Sequence, residues 1–182
     1  EGVPMTNTSR QRPAARGFTL IEVLVVVGIL GIFMVVSYPS IINTMAVRNL
    51  DNTTRQVQTF MHQTKLQAVS TKIVHRVRFT WVEGSYWAYD MERLQPDGTW
   101  IKALGAPRKT ISNLFAATID LPLDGADPVA VFSPVGAVAN FAVDQNTVVI
   151  RSPKLTRPGQ MDERVISLFM GGAIQYAKRA SS

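Results

Sequence analysis

The chain of 182 residues contains no cysteine and only two histidines, His62 and His75. Without cysteine it can form neither disulfide bonds nor thiolate metal sites. The two histidines lie on a predicted helix and a predicted strand, and they lack the His-x-x-x-His spacing of a helical zinc site. No phosphate-binding loop, dinucleotide-binding glycine turn or nucleophile elbow is present in the sequence. We therefore predict a protein with no catalytic residues, no metal site and no cofactor.

The charge of the chain is only mildly basic, with 19 Lys and Arg against 13 Asp and Glu and a net charge of +6. Arg76 and Arg78 share the polar face of one predicted strand, and Lys178 and Arg179 stand near the last residue. An electrostatic groove for nucleic acid could be built from these four cations. The surplus is far below the dense basic stripe of dedicated nucleic-acid binders, so a solvated exterior with a basic tail is favoured.

A long apolar run extends over the 21 residues from Phe18 to Tyr38. A helix of that length spans about 30 Å, the hydrocarbon thickness of a bilayer. A secretory signal peptide would have a shorter run followed by a small-residue cleavage site, which Pro39-Ser40-Ile41-Ile42 does not resemble. Three arginines precede the run, so the positive-inside rule leaves the N-terminus in the cytoplasm. The sequence predicts a transmembrane helix over residues 18–38.

Glu22 is the only charged residue within this run. An unpaired carboxylate in a membrane span is costly, and it marks a functional residue with a partner unless it is shallow enough to reach interfacial water. A cut between Gly17 and Phe18 would create a new α-amino group at Phe18. This group would lie one helical turn from the Glu22 carboxylate of the same chain, or from the Glu22 carboxylate of a neighbouring copy. The two charges would then neutralise each other within lipid.

The stretch Gly17-Phe18-Thr19-Leu20-Ile21-Glu22-Val23 resembles the processing site of type IV pilins and of the pseudopilins of type II secretion. The resemblance implies that prepilin peptidase cuts after Gly17 and methylates Phe18. It also implies that Glu22 pairs with the N-terminus of an adjacent subunit during filament assembly. Pro39, 21 residues after Phe18, matches the proline that kinks the helix in this family.

The resemblance divides the chain into four parts. Residues 1–17 would be a cleaved leader, with Met5 as its natural start and residues 1–4 as upstream sequence. Residues 18–38 would cross the membrane, residues 39–70 would form the amphipathic second half of the helix, and residues 71–182 would form a β-rich periplasmic domain.

The second half of the helix is predicted from apolar residues spaced alternately by three and four positions. Phe60 and Leu66 flank this stripe, which should pack against the rest of the domain. The stripe consists of Val47, Leu50, Thr54, Val57, Met61, Thr64 and Ala68.

From residue 73 the apolar period changes to two, which predicts strands. Residues 105–128 are predicted to be loop with short pieces, and residues 152–163 to be a polar connector. Pro122 and Pro128 favour a surface loop over a calcium site for the nearby Asp120, Asp124 and Asp127. The predicted strands cover residues 73–81, 86–91, 100–101, 129–133, 146–151, 164–170 and 173–176. The expected fold class is α+β and type IV pilin-like, with a long N-terminal helix packed on an antiparallel sheet.

The strand and glycine pattern of residues 131–136, 148–150 and 165–174 is similar to that of H-type minor pseudopilins and T-type fimbrial minor pilins. This implies a minor pseudopilin, a structural subunit of the periplasmic pseudopilus of a type II secretion system. Its partners would be other pseudopilins or pilins in a hetero-oligomeric filament, the prepilin peptidase, inner-membrane lipid and secreted cargo. The alternative is a minor type IV pilin that acts in pilus assembly, adhesion or DNA uptake.

Overall fold

The computed structural model describes residues 18–155 and 159–180, except for the side chains of residues 36–40. Between residues 40 and 41 the chain divides into two compact units. One helix, α1, runs from Leu20 to Thr71 and belongs to both units. The prediction of a single long helix is therefore confirmed.

The second half of α1 buries the stripe that its sequence spacing predicts. Its members from Leu50 to Ala68 are 0% exposed, although two of them are threonines. The hydroxyls of Thr54 and Thr64 donate to the carbonyl oxygens of Leu50 and Phe60, at 2.9 and 2.8 Å. These bonds satisfy both buried hydroxyls, so threonine can stand in an apolar stripe.

In the part of the chain that the structure describes, ten strands follow the helix and form two antiparallel sheets. The first sheet has the order β3-β2-β1-β7-β6, with β4 also paired to β2, and the second has the order β10-β9-β8-β5. The expected α+β fold class is confirmed. The strands are β1 His75–Val82, β2 Tyr86–Leu94, β3 Trp100–Lys102, β4 Lys109–Ile111, β5 Ala116–Asp120, β6 Leu123–Asp124, β7 Asp127–Phe132, β8 Thr147–Arg151, β9 Glu163–Leu168 and β10 Ile174–Arg179.

The structure differs from the sequence prediction in the segment that was expected to be loop. This segment contains β4, β6 and the five-residue strand β5, which is the edge of the second sheet. The Trp87 Nε1–H of β2 donates to the Ala117 carbonyl of β5 at 3.0 Å and so joins the two sheets. Small, half-exposed residues give β5 a weak apolar alternation, which is why its pattern was missed.

The core lies between α1 and the sheets. Phe60 from the helix packs edge-on against Tyr89 of β2, with ring centroids 5.0 Å apart, and Tyr89 also contacts Phe79 of β1 at 5.7 Å. Burial raises the pKa of Tyr89 to about 12. Among the described residues, the buried side chains begin at Leu50, so the unit that starts at Ile41 holds the whole of this core.

Two tight turns meet beside the last turns of α1. They contain Gly136 and Gly172, which have positive φ angles of 83° and 79°. A Cβ at Gly172 would collide with the carbonyl oxygen of Gly136, so only glycine allows the two turns to approach this closely. The Lys65 ammonium donates to the Gly172 carbonyl at 2.9 Å and fixes the pair to the helix.

Candidate functional site

The predicted processing site lies at the edge of the described chain. Gly17 falls outside the described residues, and Phe18 is the first described residue, with 82% of its surface exposed. Pro39 lies within α1, but its side chain falls outside the description. The cut after Gly17 and the kink at Pro39 therefore stay predictions.

The start of α1 is fixed by a cap that we did not derive from the sequence. The Glu22 backbone N–H donates both to the Thr19 hydroxyl oxygen at 3.3 Å and to the Thr19 carbonyl at 3.1 Å. A threonine followed three residues later by a glutamate is the signature of a capping box, so the pattern was readable. The cap places Glu22 in the first turn of the helix, where the helix dipole favours a carboxylate.

The helix beyond this cap exposes apolar side chains on all sides. From Leu20 to Val35, every large hydrophobic side chain is between 49% and 84% exposed. A helix that is apolar all round needs cover from lipid or from other helices. Within the described part of the chain, no helix combines the length and the apolarity that a membrane crossing requires.

Two glycines interrupt the apolar surface of this helix. Gly28 and Gly31 stand three residues apart, and a Cβ built on either one meets no atom within 4 Å. Glycines on a helix surface allow another helix to approach the backbone closely. The first half of α1 is therefore suited to contact with a second helix.

Arg76 and Arg78 take part in an ion-pair network on the first sheet. The Arg76 side chain is only 4% exposed, and its Nε lies 2.7 Å from a Glu92 carboxylate oxygen. It also pairs with Asp124, and its guanidinium lies 4.0 Å from the centre of the Trp100 ring. The expectation that Arg76 is a solvated cation or a groove residue was wrong, because its charge is buried and neutralised.

The other residues of the predicted basic groove also face carboxylates. Arg78 lies 2.6 Å from Asp127, in an arrangement that raises the pKa of its guanidinium through their hydrogen bond. On β10, Lys178 pairs with Asp51 at 3.0 Å and Arg179 with Glu163 at 3.0 Å. These pairs lie on different sheets, so the structure does not bring the four cations into one groove.

The acidic residues weighed as calcium ligands are used in the same network. Asp124 pairs with Arg76, and Asp127 pairs with Arg78. Among the described residues, no group of three or more histidine, cysteine, aspartate or glutamate side chains is placed to hold a metal ion. The arginine partners were not foreseen, and Asp124, Asp127 and Pro128 lie in strands β6 and β7 rather than in the expected surface loop.

The two histidines occupy different environments. His75 is 2% exposed, and its Nδ1 lies 2.8 Å from the carbonyl oxygen of Ile73, to which it donates. His62 is exposed on α1. They lie on the helix and the strand that the sequence predicts for them.

A second charged cluster joins α1 to the second sheet. Asp51 accepts hydrogen bonds from Arg164 at 2.5 Å, from Tyr176 at 2.8 Å and from Lys178 at 3.0 Å. Burial raises the pKa of Asp51, but these hydrogen bonds outweigh it and hold that pKa at about 2. Arg164 is only 1% exposed and also donates to the carbonyls of Met161 and Glu163.

A comparison with known protein families matches the start of the chain. The model described as the prokaryotic N-terminal methylation motif matches residues 12–38, which include Gly17, Phe18 and Glu22. No curated protein and no solved structure matches the chain. The match supports the type IV pilin family and indicates a type IV pilin-like protein that is processed by prepilin peptidase. It points to a structural protein that assembles with other pilins and is anchored through its N-terminus.

Proposed function

We propose that this protein is a minor pseudopilin, a structural subunit of the periplasmic pseudopilus of a type II secretion system. The observation that carries the proposal is the methylation motif over residues 12–38, with a glycine, a phenylalanine and a glutamate at the expected positions. The strand and glycine pattern of the β-rich unit supports the narrower assignment to a minor pseudopilin.

In this proposal the peptide bond between Gly17 and Phe18 is cut on the cytoplasmic side of the inner membrane. The new amino group at Phe18 is methylated, and residues 18–38 cross the bilayer. The β-rich unit then lies in the periplasm. The exposed apolar surface of α1 supports this step, because it requires lipid before assembly and other helices afterwards.

Assembly proceeds by lateral transfer of α1 from lipid into a bundle of similar helices. The Glu22 carboxylate pairs with the processed N-terminus of a neighbouring subunit, which offsets both charges in an apolar environment. The Thr19 cap keeps Glu22 in the first helical turn, four residues after Phe18, the proposed N-terminus of its own chain. The β-rich unit presents its surface to other minor subunits or to secreted cargo.

The direct test is the intact mass and the N-terminal sequence of the protein isolated from membranes. We expect a chain that begins at Phe18 and carries one additional methyl group on its amino terminus. A mature chain that begins upstream of Phe18 would refute the proposed processing and the ion pair that depends on it.

The role of Glu22 is tested by Glu22→Ala, with Glu22→Asp and Asp144→Ala as matched controls. The alanine variant should be processed normally but should be absent from sheared filaments. Glu22→Asp keeps the charge, and Asp144→Ala removes an exposed carboxylate from the β-rich unit, so both should be incorporated. Normal incorporation of Glu22→Ala would contradict the proposed pairing.

A minor type IV pilin is the second candidate, because the matched motif serves pili and pseudopili alike. The two are separated by deleting the gene and measuring secretion of exoproteins and surface piliation in the same strain. Loss of secretion with normal piliation supports the pseudopilin, and the reverse supports the pilin.

A further inference from the structure

The second unit begins with a group of exposed apolar side chains. They lie on the first helical turns of this unit and on the connector that precedes β9. The Gln160 Nε2 donates to Asn43 Oδ1 at 2.9 Å, which holds the last residues of the connector beside this part of α1. The four residues, between 47% and 57% exposed, are Ile41, Ile42, Met45 and Met161. We call them, with the charged residues described next, the proximal face.

The same end of the unit carries an excess of positive charge. The strand register places Arg151, Glu163 and Arg179 side by side at this end of the second sheet. Counted together, this end of the second sheet, the adjoining turn of α1 and the residues after β8 carry six basic residues and three acidic ones, and the acids pair with four of the six cations: Arg48, Arg151, Lys154, Arg164, Lys178 and Arg179 against Asp51, Asp162 and Glu163. The surplus is therefore three positive charges. By contrast, the network on the first sheet balances four cations, Arg76, Arg78, Lys102 and Arg108, with four carboxylates.

We propose that the proximal face docks on an anionic lipid surface. The exposed cations would meet the lipid phosphates, whereas Arg164 stays buried in its pair with Asp51. The four apolar side chains would enter the interfacial layer, as in other proteins that bind the surface of a bilayer. This inference rests on the proposed function in one respect, because the membrane-spanning segment would bring the face to the bilayer. Ile41 follows that segment closely in sequence.

The positive charge of the proximal face favours an anionic lipid surface over a second copy of this chain as its binding partner. Two proximal faces would each bring a surplus of three positive charges, and like charges across an interface oppose binding. An anionic lipid surface complements both features of the face at once.

The first experiment uses residues 41–182, the unit that contains the whole described core. Its sedimentation is measured with vesicles of phosphatidylcholine and with vesicles that also contain phosphatidylglycerol. We expect binding only to the anionic vesicles, and loss of that binding when salt is raised. Lys154→Gln should weaken it about fivefold, as removal of one cation near an anionic bilayer does. Met161→Ser should have an effect of similar size, because a half-exposed thioether no longer enters the apolar layer.

Matched controls lie at the other end of the unit. Lys72→Gln removes an exposed cation just after the end of α1, and Met170→Ser changes a 65% exposed methionine in the turn before β10. Both variants should bind anionic vesicles as the parent does. Equal weakening by the controls would refute the proximal face as the contact.

The second experiment uses the full chain reconstituted in proteoliposomes. Since the chain has no cysteine, Met161→Cys and Met170→Cys each give a single labelling site for a fluorophore. Lipid-headgroup quenchers should quench the label at 161 and leave the label at 170 unchanged. Equal exposure of both labels to the quencher would overturn the proposal, whether or not the isolated unit binds vesicles.

The outcomes separate this inference from the proposed function. Vesicle binding that does not require phosphatidylglycerol, or association of residues 41–182 with themselves through Met161, would overturn the lipid contact. Neither result alters the N-terminal mass of the mature protein. Conversely, a mature chain that begins upstream of Phe18 would refute the processing, whatever the vesicles show.

Discussion

Replacing Asp51 by alanine should destabilise the β-rich unit strongly, because it leaves the Arg164 guanidinium buried without its carboxylate. Arg164 is 1% exposed, and its Nε lies 2.5 Å from Asp51. Removal of one partner from a buried ion pair costs about 3–5 kcal/mol. Arg164 keeps two backbone carbonyls as acceptors, at 2.7 and 2.9 Å. We therefore expect the low end of that range, about 3 kcal/mol.

The assay is urea unfolding of residues 41–182, followed by circular dichroism, together with thermal melts. A loss of about 3 kcal/mol should lower the melting temperature by roughly 9 °C in a unit of this size. The matched control is Lys178→Met, which removes the other cation that pairs with Asp51. Lys178 is 43% exposed, so its loss should cost less than about 1 kcal/mol.

A double variant tests whether the buried charge is the cause. Adding Arg164→Met to Asp51→Ala removes the uncompensated cation and should recover a large part of the lost stability. Our reasoning would be refuted if Asp51→Ala cost less than about 1 kcal/mol, or if the double variant were less stable than Asp51→Ala alone.

Three further predictions concern stability. Because the pKa of Asp51 is lowered from 3.8 to about 2, its contribution is fully present above pH 3.8 and is lost as the pH falls through 2. As the pH falls through that window, the parent should therefore lose about 2 kcal/mol of its unfolding free energy through Asp51. Asp51→Asn should not show this loss when urea unfolding is measured at each pH. Gly172→Ala should cost about 3 kcal/mol through strain and collision, whereas Gly84→Ala, with positive φ but open space, should cost about 1 kcal/mol in the same assay. Trp87→Phe removes the donor to the Ala117 carbonyl and should cost about 1 kcal/mol, with faster amide exchange along β5; unchanged exchange would show that this bond does not join the sheets.

The helix was predictable because its determinants are local. The stripe from Leu50 to Ala68 repeats every three or four residues, and its burial follows from that spacing alone. The β1–β2 hairpin was predictable for the same reason, since Glu83 and Gly84 supply the positive φ angles of its turn. Patterns of this kind depend on residues close in sequence, so they can be recognised without knowledge of the tertiary contacts.

The charged residues could not be placed in this way. The partners of Arg76 include Asp124, 48 positions away, and the partners of Asp51 lie 113 to 127 positions away. A cation on an alternating strand looks solvated until the segment that covers it is known. Sequence spacing therefore suggested a basic groove where folding produces neutral pairs.

The two halves of α1 differ in what covers their apolar side chains, although they form one helix. From Leu50 onward, one face is buried by the sheets of the same chain and the exposed side chains are mostly polar, with Leu66 as an exception. From Leu20 to Val35, the apolar side chains are exposed on all sides, and the described part of this chain does not cover them. Because burial of such a surface is the main source of stability for an apolar helix, its cover must come from lipid or from other helices. The first half of α1 is thus built for an environment outside the folded unit, and it is also the half that carries the methylation motif.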